Sequence, residues 1–364
     1  MKLWCLLFFS LVFASVVRAE PTFNDEIATM IHQNCSTCHR PGESAPFSLL
    51  TYDEVSKKAR TIQRAIEDGY MPPWHADDSQ AYMGVRRLSQ EQIDRFSDWV
   101  DAGKSEGDPD KAPSMPEFPE GWQLGEPDLV VTMAKGYTVP AEGADIYRNF
   151  VIPLDLPEDK WVKAVELRPS ARSVVHHSLF FLYDSGTARK LDGKDGKPGF
   201  RNMAFRRSGA LGGYVPGSTP RKLPQDFALP LPQGSDLVLS THFHPSGKEE
   251  MEQTTVGFFF ADKPPARKVE TVQVPPAFGR TAGIDIPAGE SDFKIERTFE
   301  IPVDIEAIKI SGHAHYICDS MKMTATLPGG EVQTLLNIPE WDLDWQDDYF
   351  FKEKLILPAG TVLK

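Results

Sequence analysis

The chain has 364 residues, 41% apolar and 10% aromatic, which is enough to bury more than one core and too apolar for a disordered segment. Its formal net charge of −13 argues against nucleic acid and anionic membrane as partners. Thirty prolines and 27 glycines favour turn-rich β architecture over long helices.

Residues 1–19, MKLWCLLFFSLVFASVVRA, read as a secretory signal: Lys2, an apolar run, then the small-residue cleavage site Val17-Arg18-Ala19. The run from Leu3 to Val17 is short for a bilayer, and no later stretch is long and apolar enough to span one. The expected location is therefore periplasmic or secreted, with no stable membrane span. Without Lys2 and Arg18 the chain keeps 37 basic against 52 acidic residues, a charge of −15. Three cysteines remain, Cys35, Cys38 and Cys318, a set too sparse for a disulfide scaffold.

Residues 22–108 carry a helical period. FNDEIATMIHQNC opens with capping chemistry at Asn24 and Asp25 and places Ile27, Ile31 and Cys35 on one face. A second helix is expected over Tyr52–Asp68, stopped by Gly69. A third starts at Ser89, with Gln92 completing a capping box and Ile93, Phe96 and Val100 turned inward. Residues 109–125 form a Pro-rich linker. Beyond it the period falls to two, in runs such as DLVVTM, WVKAVELRP, VVHHSLFFLY, DLVLSTHFH, TTVGFFFAD, AIKISGHAHYI and KMTATL. This spacing predicts β-sandwiches over 126–262 and 266–364, with KPPAR at 263–267 as the seam.

CSTCH, Cys35 to His39, has the spacing for covalent c-type haem: two thiols add to the vinyl groups, and His39 binds the iron. A zinc reading lacks the second cysteine pair it would need. For the iron's other face, the stiff GYMPPW segment presents Met71, with His75 and His32 as rivals. CSTCHRPGESAPFSLLTYDEV, MPPWHA and SDWVDAGKSEGDP together resemble the bacterial cytochrome c modules fused ahead of copper monooxygenase domains, over residues 23–110.

Of nine histidines, six fall in pairs: His176-His177, His242-x-His244 and His313-x-His315. Such pairing in strand-like runs points to metal. Alternate residues of a regular strand share a face, so His313 and His315 can chelate one ion. Adjacent His176 and His177 need a bulge or a strand end to do so.

VVHHSLFF, GGYVPGSTP, LVLSTHFHPSG and SGHAHYICDSMKMTATLPGG, in that order, resemble the type II copper, ascorbate-dependent monooxygenases that include the peptidylglycine α-hydroxylating and dopamine β-monooxygenases. The resemblance covers 126–364 and implies a multidomain fold: a small all-α cytochrome c domain followed by tandem jelly-roll-like β-sandwiches. It implies an electron-transfer copper on His176, His177 and His242, and an oxygen-activating copper on His313 and His315, the catalytic pair. The resemblance leaves His244 either to support a ligand from behind or to a structural role. The family's copper-binding methionine lies further downstream, so the second site is expected to be incomplete or to draw on Met321 or Met323. These share parity with His313 and His315 if the strand stays regular. Ser311 stands where peptide-hydroxylating members carry a substrate-gripping arginine, so peptide amidation is not implied.

The implied function is hydroxylation of a C–H bond of a small-molecule or peptide-like substrate by O2. Ascorbate, a redox protein or the fused haem would supply electrons. The alternative is a non-catalytic haem and copper electron carrier. LDGKDGKPG at 191–199 is read as a hairpin loop, because it lacks the terminal Glu of a calcium site. WDLDWQDD at 341–348 is read as a solvated loop, and Cys318 as a half-buried free thiol.

Overall fold

Three α-helices, α1 (Ala28–Asn34), α2 (Tyr52–Glu67) and α3 (Gln90–Asp101), occupy the N-terminal quarter of a computed structural model. The structure describes residues 19–119, 121–184, 186–202, 208–276, 283–343 and 345–364, so the signal segment lies outside it apart from Ala19. Capping boxes start α2 (Thr51 with Glu54) and α3 (Ser89 with Gln92). The first cap differs from expectation. A wide turn over Phe23–Ile27 precedes α1, and the Thr22 hydroxyl accepts the Asp25 N–H at 3.4 Å. Burial of Phe23 and Ile27 draws the chain in a turn earlier, and Asn24 is buried with them. Val55, Ala59, Ile62 and Ile66 of α2 close with Phe96, Trp99 and Val100 of α3 over Ile27 and Ile31. Each Val, Ile and Phe among them contributes roughly 1.5–3 kcal/mol by leaving water.

The molecule is mostly β, about 30% strand against 14% helix. The first β-unit comprises β1 (Leu129–Thr132), β2 (Tyr137–Val139), β3 (Ile146–Pro153), β4 (Lys160–Arg168), β5 (Val175–Tyr183), β6 (Gly209–Tyr214), β7 (Phe227–Leu231), β8 (Asp236–Phe243), β9 (Glu250–Glu252), β10 (Thr255–Phe260) and β11 (Arg267–Lys268). Its two main sheets run β1-β10-β4-β7-β11 and β3-β8-β5-β6. They face each other as a sandwich. Phe180 and Leu182 of β5 and Leu237, Leu239 and Phe243 of β8 share one core with Val162, Leu167, Val256 and Phe258 of the opposite sheet. Alternation turns the other set outward: Phe181, Tyr183, Val151 and Val238 form a separate cluster, with Leu179 packed against it. His177 and His242 have the parity of this outer face.

The second unit comprises β12 (Phe299–Glu300), β13 (Ile305–Ser311), β14 (Met321–Thr326), β15 (Val332–Ile338), β16 (Asp348–Leu357) and β17 (Val362–Leu363). A β12-β17-β14-β15 sheet and a β13-β16 ribbon enclose Ile301, Ala325, Leu335, Leu357 and Leu363.

The segment between α2 and α3 docks on this second unit. Trp74, Ala76 and Tyr82 join Leu336, Ile338, Tyr349 and Phe351 in one core. Met83 N–H donates to Phe350 O and Asp77 N–H to Asn337 O, at 2.8 and 2.9 Å. Arg86 then ties three segments: it donates to Pro73 O, to Gly217 O of the first unit, and to Asp347 Oδ2 of the second at 2.6 Å.

Loop 192–199 wraps a cation of the protein's own. Arg148 is 1% exposed and donates to both oxygens of Asp195 and to the carbonyls of Lys197, Pro198 and Gly199. That pairing satisfies the buried charge and holds the Asp195 carboxyl well below its usual range. Among the described residues, no helix is long and apolar enough to cross a membrane.

Candidate metal centre

Strand pairing brings three histidines together across two strands. β5 and β8 run antiparallel with Val175 opposite Phe243 but His177 opposite His242, so His176 is an extra residue at a bulge. This is the irregularity that two adjacent histidines need in order to face one ion. Their Nδ1 atoms lie 3.3 Å apart. Two nitrogens each about 2.0–2.1 Å from one ion at a tetrahedral angle stand about 3.3 Å apart. The His242 ring completes the group, its centroid 4.6 Å from that of His176 and 4.9 Å from that of His177. One nitrogen from each ring lies within 4.8 Å of the others, so the group can hold a metal ion.

The tautomer at His242 is fixed from behind. Its Nε2 lies 2.8 Å from Asp145 Oδ2 and, facing a carboxylate, carries the proton, which leaves Nδ1 as the ligating atom. His244 Nδ1 takes the other Asp145 oxygen, also at 2.8 Å. Tyr147, opposite His242 on β3, stacks on its ring at 4.2 Å and 13°. Tyr316 of the second unit donates its hydroxyl to Asp145 Oδ2 at 2.7 Å. Burial pushes the Asp145 carboxyl up, but hydrogen bonds from Tyr316, His244 and His242 outweigh it and hold the group down at about 2. The same contacts, led by Tyr147 and then Asp145, raise the Tyr316 phenol above its usual range.

His313 and His315 are placed differently. β13 ends at Ser311 and β14 begins at Met321, so both lie on an exposed loop and share no strand parity with Met321 or Met323. Their rings still approach to 5.3 Å. His313 Nδ1 is 2.5 Å from Gln346 Oε1, which turns Nε2 outward. A Cβ built on Gly312 would lie 2.5 Å from Met321 Sδ, so that sulfur rests one residue from His313. Cys318 is a half-buried thiol donating to Ser320 O, its pKa raised by burial and by Asp319.

A cleft of about 2290 Å³ separates the units, larger than the few hundred to 1,000 Å³ of an ordinary ligand pocket. Leu179, Phe181 and Tyr214 line one wall, while Ile310, His313 and His315 line the other. Gln346, Asp347 and Asp348 also face it, so the acidic run read as a solvated loop forms part of the cleft wall.

In the haem-spaced segment, Cys35 and Cys38 are free thiols on the turn that follows α1. Burial, then the neighbouring Cys38, pushes Cys35 up to about 12. His39 Nδ1 donates to Phe47 O at 3.1 Å, leaving Nε2 with its lone pair, as a metal ligand requires. Among the described residues no hydrogen bond or ring contact joins Met71 to His39; Met71 donates its backbone N–H to Ala65 O. His75 Nε2 and the Trp74 indole N–H are buried with no hydrogen-bond partner among the described residues. His32 Nε2 is engaged by Leu50 O at 3.0 Å. Cys38 faces the first unit: its sulfur occupies the space that a Cβ on Gly217 would take.

Asp145, Tyr147, Tyr316 and Gln346 escaped the sequence reading. Only the register that sets Ile146 opposite Phe243 brings Asp145 beside His244. No family model matches the chain, and no curated protein matches it.

Proposed function

We infer that this protein is an exported, copper-dependent oxidoreductase of the monooxygenase kind, with a c-type haem on the same chain as its electron source. The observation that carries the reading is the triad of His176, His177 and His242, in which a bulge, a fixed tautomer and a 3.3 Å nitrogen spacing agree. Three imidazoles suit copper among the common redox metals. When bound, copper would supply one-electron chemistry with O2, and haem c an electron store.

The chain's own residues then have separable tasks. The bulge aims His176 and His177, and Asp145 keeps the His242 proton on Nε2. Gln346 holds His313, and Met321, packed against Gly312, would be the nearby candidate for a thioether ligand. Apolar Leu179, Phe181 and Ile310 on the cleft walls suit a small organic substrate with a reactive C–H bond. Cys35, Cys38 and His39 would hold the haem, with Met71 or His75, whose Nε2 is buried without a partner among the described residues, as the candidate further iron ligand. Cys38 rests against Gly217, and Tyr214, three residues earlier, pairs with Ser178, the neighbour of His177. A haem held at Cys38 would thus lie against the segment that pairs with the triad's own strand.

A second reading has its own support. Among the described residues the triad is the one group of three His, Cys, Asp or Glu with metal-like spacing, as an electron carrier without an oxygen site would have. Copper counting with electron paramagnetic resonance separates the two readings. Two type II signals, oxygen uptake and reoxidation of dithionite-reduced haem only when copper and O2 are both present support the monooxygenase. One copper without oxygen uptake supports the carrier.

A further inference from the structure

Asp145 serves donors from both β-units. His242 and His244 come from the end of β8, and Tyr316 comes from the loop that carries His313 and His315. Tyr316 is the residue after His315, and its oxygen lies 3.5 Å from the hydroxyl of Tyr147, whose ring covers His242. A continuous chain of contacts therefore runs from the triad ligand His242 through one carboxylate to the backbone of the second histidine pair. Loop 312–320 has no strand pairing, so its order depends on such side-chain anchors.

We propose that Asp145 and Tyr316 couple the two sites, so that a metal ion on the triad tightens binding at His313 and His315, and the reverse. An ion on His242 fixes that ring; the ring's Nε2–H fixes the carboxylate; the carboxylate holds the Tyr316 hydroxyl and with it the loop. Histidines already ordered lose less freedom on closing around an ion. Linkage makes the effect mutual. A single hydrogen bond to a carboxylate sets its scale at about tenfold. The proposal rests on reading both histidine sets as metal sites. Asp145 and Tyr316 act in it as positioning residues.

The test is equilibrium dialysis of the full haem-bearing chain against buffered Cu⁺, counting copper per chain, in a double-mutant cycle. Replacing both His313 and His315 by Ala should weaken the triad about tenfold in the otherwise wild-type chain, and less than twofold beside Tyr316→Phe. Tyr316 is 66% exposed, so Tyr316→Phe leaves the fold intact. In the oxidised protein, loading the loop site should shift the triad copper's paramagnetic resonance in wild type and leave it in place in Tyr316→Phe. Equal weakening in both backgrounds would overturn the coupling while leaving two metal sites standing. A wild-type chain that binds fewer than two coppers would instead overturn the metal reading beneath it.

Discussion

The two histidine sets differ in what holds them. His177 and His242 stand opposite each other on central strands, 7% and 1% exposed, with hydrogen-bonded neighbours on both sides. His313 and His315 stand on an exposed loop, positioned by Gln346, by Met321 packing on Gly312, and by the Tyr316 link to Asp145. A site on strands inherits its geometry from backbone pairing, whereas a loop site takes it from a few side chains. On the function proposed above, the strand site would keep one coordination through redox cycling, and the loop site would admit an exogenous ligand.

Four experiments can break or sharpen that contrast. The largest effect is expected from His242→Ala, which should remove one copper per chain and cost about 2–4 kcal/mol in denaturant unfolding, through a cavity and the loss of its hydrogen bond to Asp145. His313→Ala should also remove one copper but move stability by only about 0.5 kcal/mol. Equal losses of stability would erase the distinction. Next, Asp145→Asn should weaken the triad roughly 10- to 100-fold in a copper titration, the usual effect of losing a ligand's supporting carboxylate.

A smaller change concerns sulfur. X-ray absorption of the reduced protein should show a copper–sulfur path that Met321→Leu removes and Met323→Leu keeps; a path surviving Met321→Leu would place the thioether elsewhere. The smallest effect is on acid stability. Burial pushes Asp77 up, but hydrogen bonds from Ser79 and Asn337 prevail and lower it below the 3.8 of a free carboxyl. The folded chain thus binds fewer protons there, so this stabilisation is complete above pH 3.8 and drains away as pH falls through the lowered value. The unfolding midpoint of wild type should fall more steeply than that of Asp77→Asn over that window.

Local patterns were readable from the sequence. The 3.6-residue period and the Ser89–Gln92 box located α2 and α3, and period-two runs located β4, β5, β8 and β10. Alternation alone said that His176 and His177 could face one ion only at a bulge or a strand end, and a bulge is there. What the sequence hid depends on pairing between distant segments. Asp145 is a single acidic residue 97 positions before His242, and Tyr316 lies 171 beyond Asp145. Neither belongs to a periodic pattern. The end of β13 at Ser311 was also hidden, because AIKISGHAHYI keeps its alternation past the last paired residue. The docking of Trp74 and Tyr82 on β15 and β16 was missed for the same reason: it shows only once a sheet far along the chain is placed.

Arg148 has a practical consequence for all of these measurements. A loop rich in Asp and Gly invites dependence on calcium in the medium. Here a guanidinium from β3 already fills the ring of carbonyls and carboxylate in loop 192–199. Chelators should pass this region by, so stripping with EDTA gives a clean baseline. A change in structure after chelation would then arise outside this loop, and copper added back would test the proposed histidine sites on a scaffold that keeps this counter-ion.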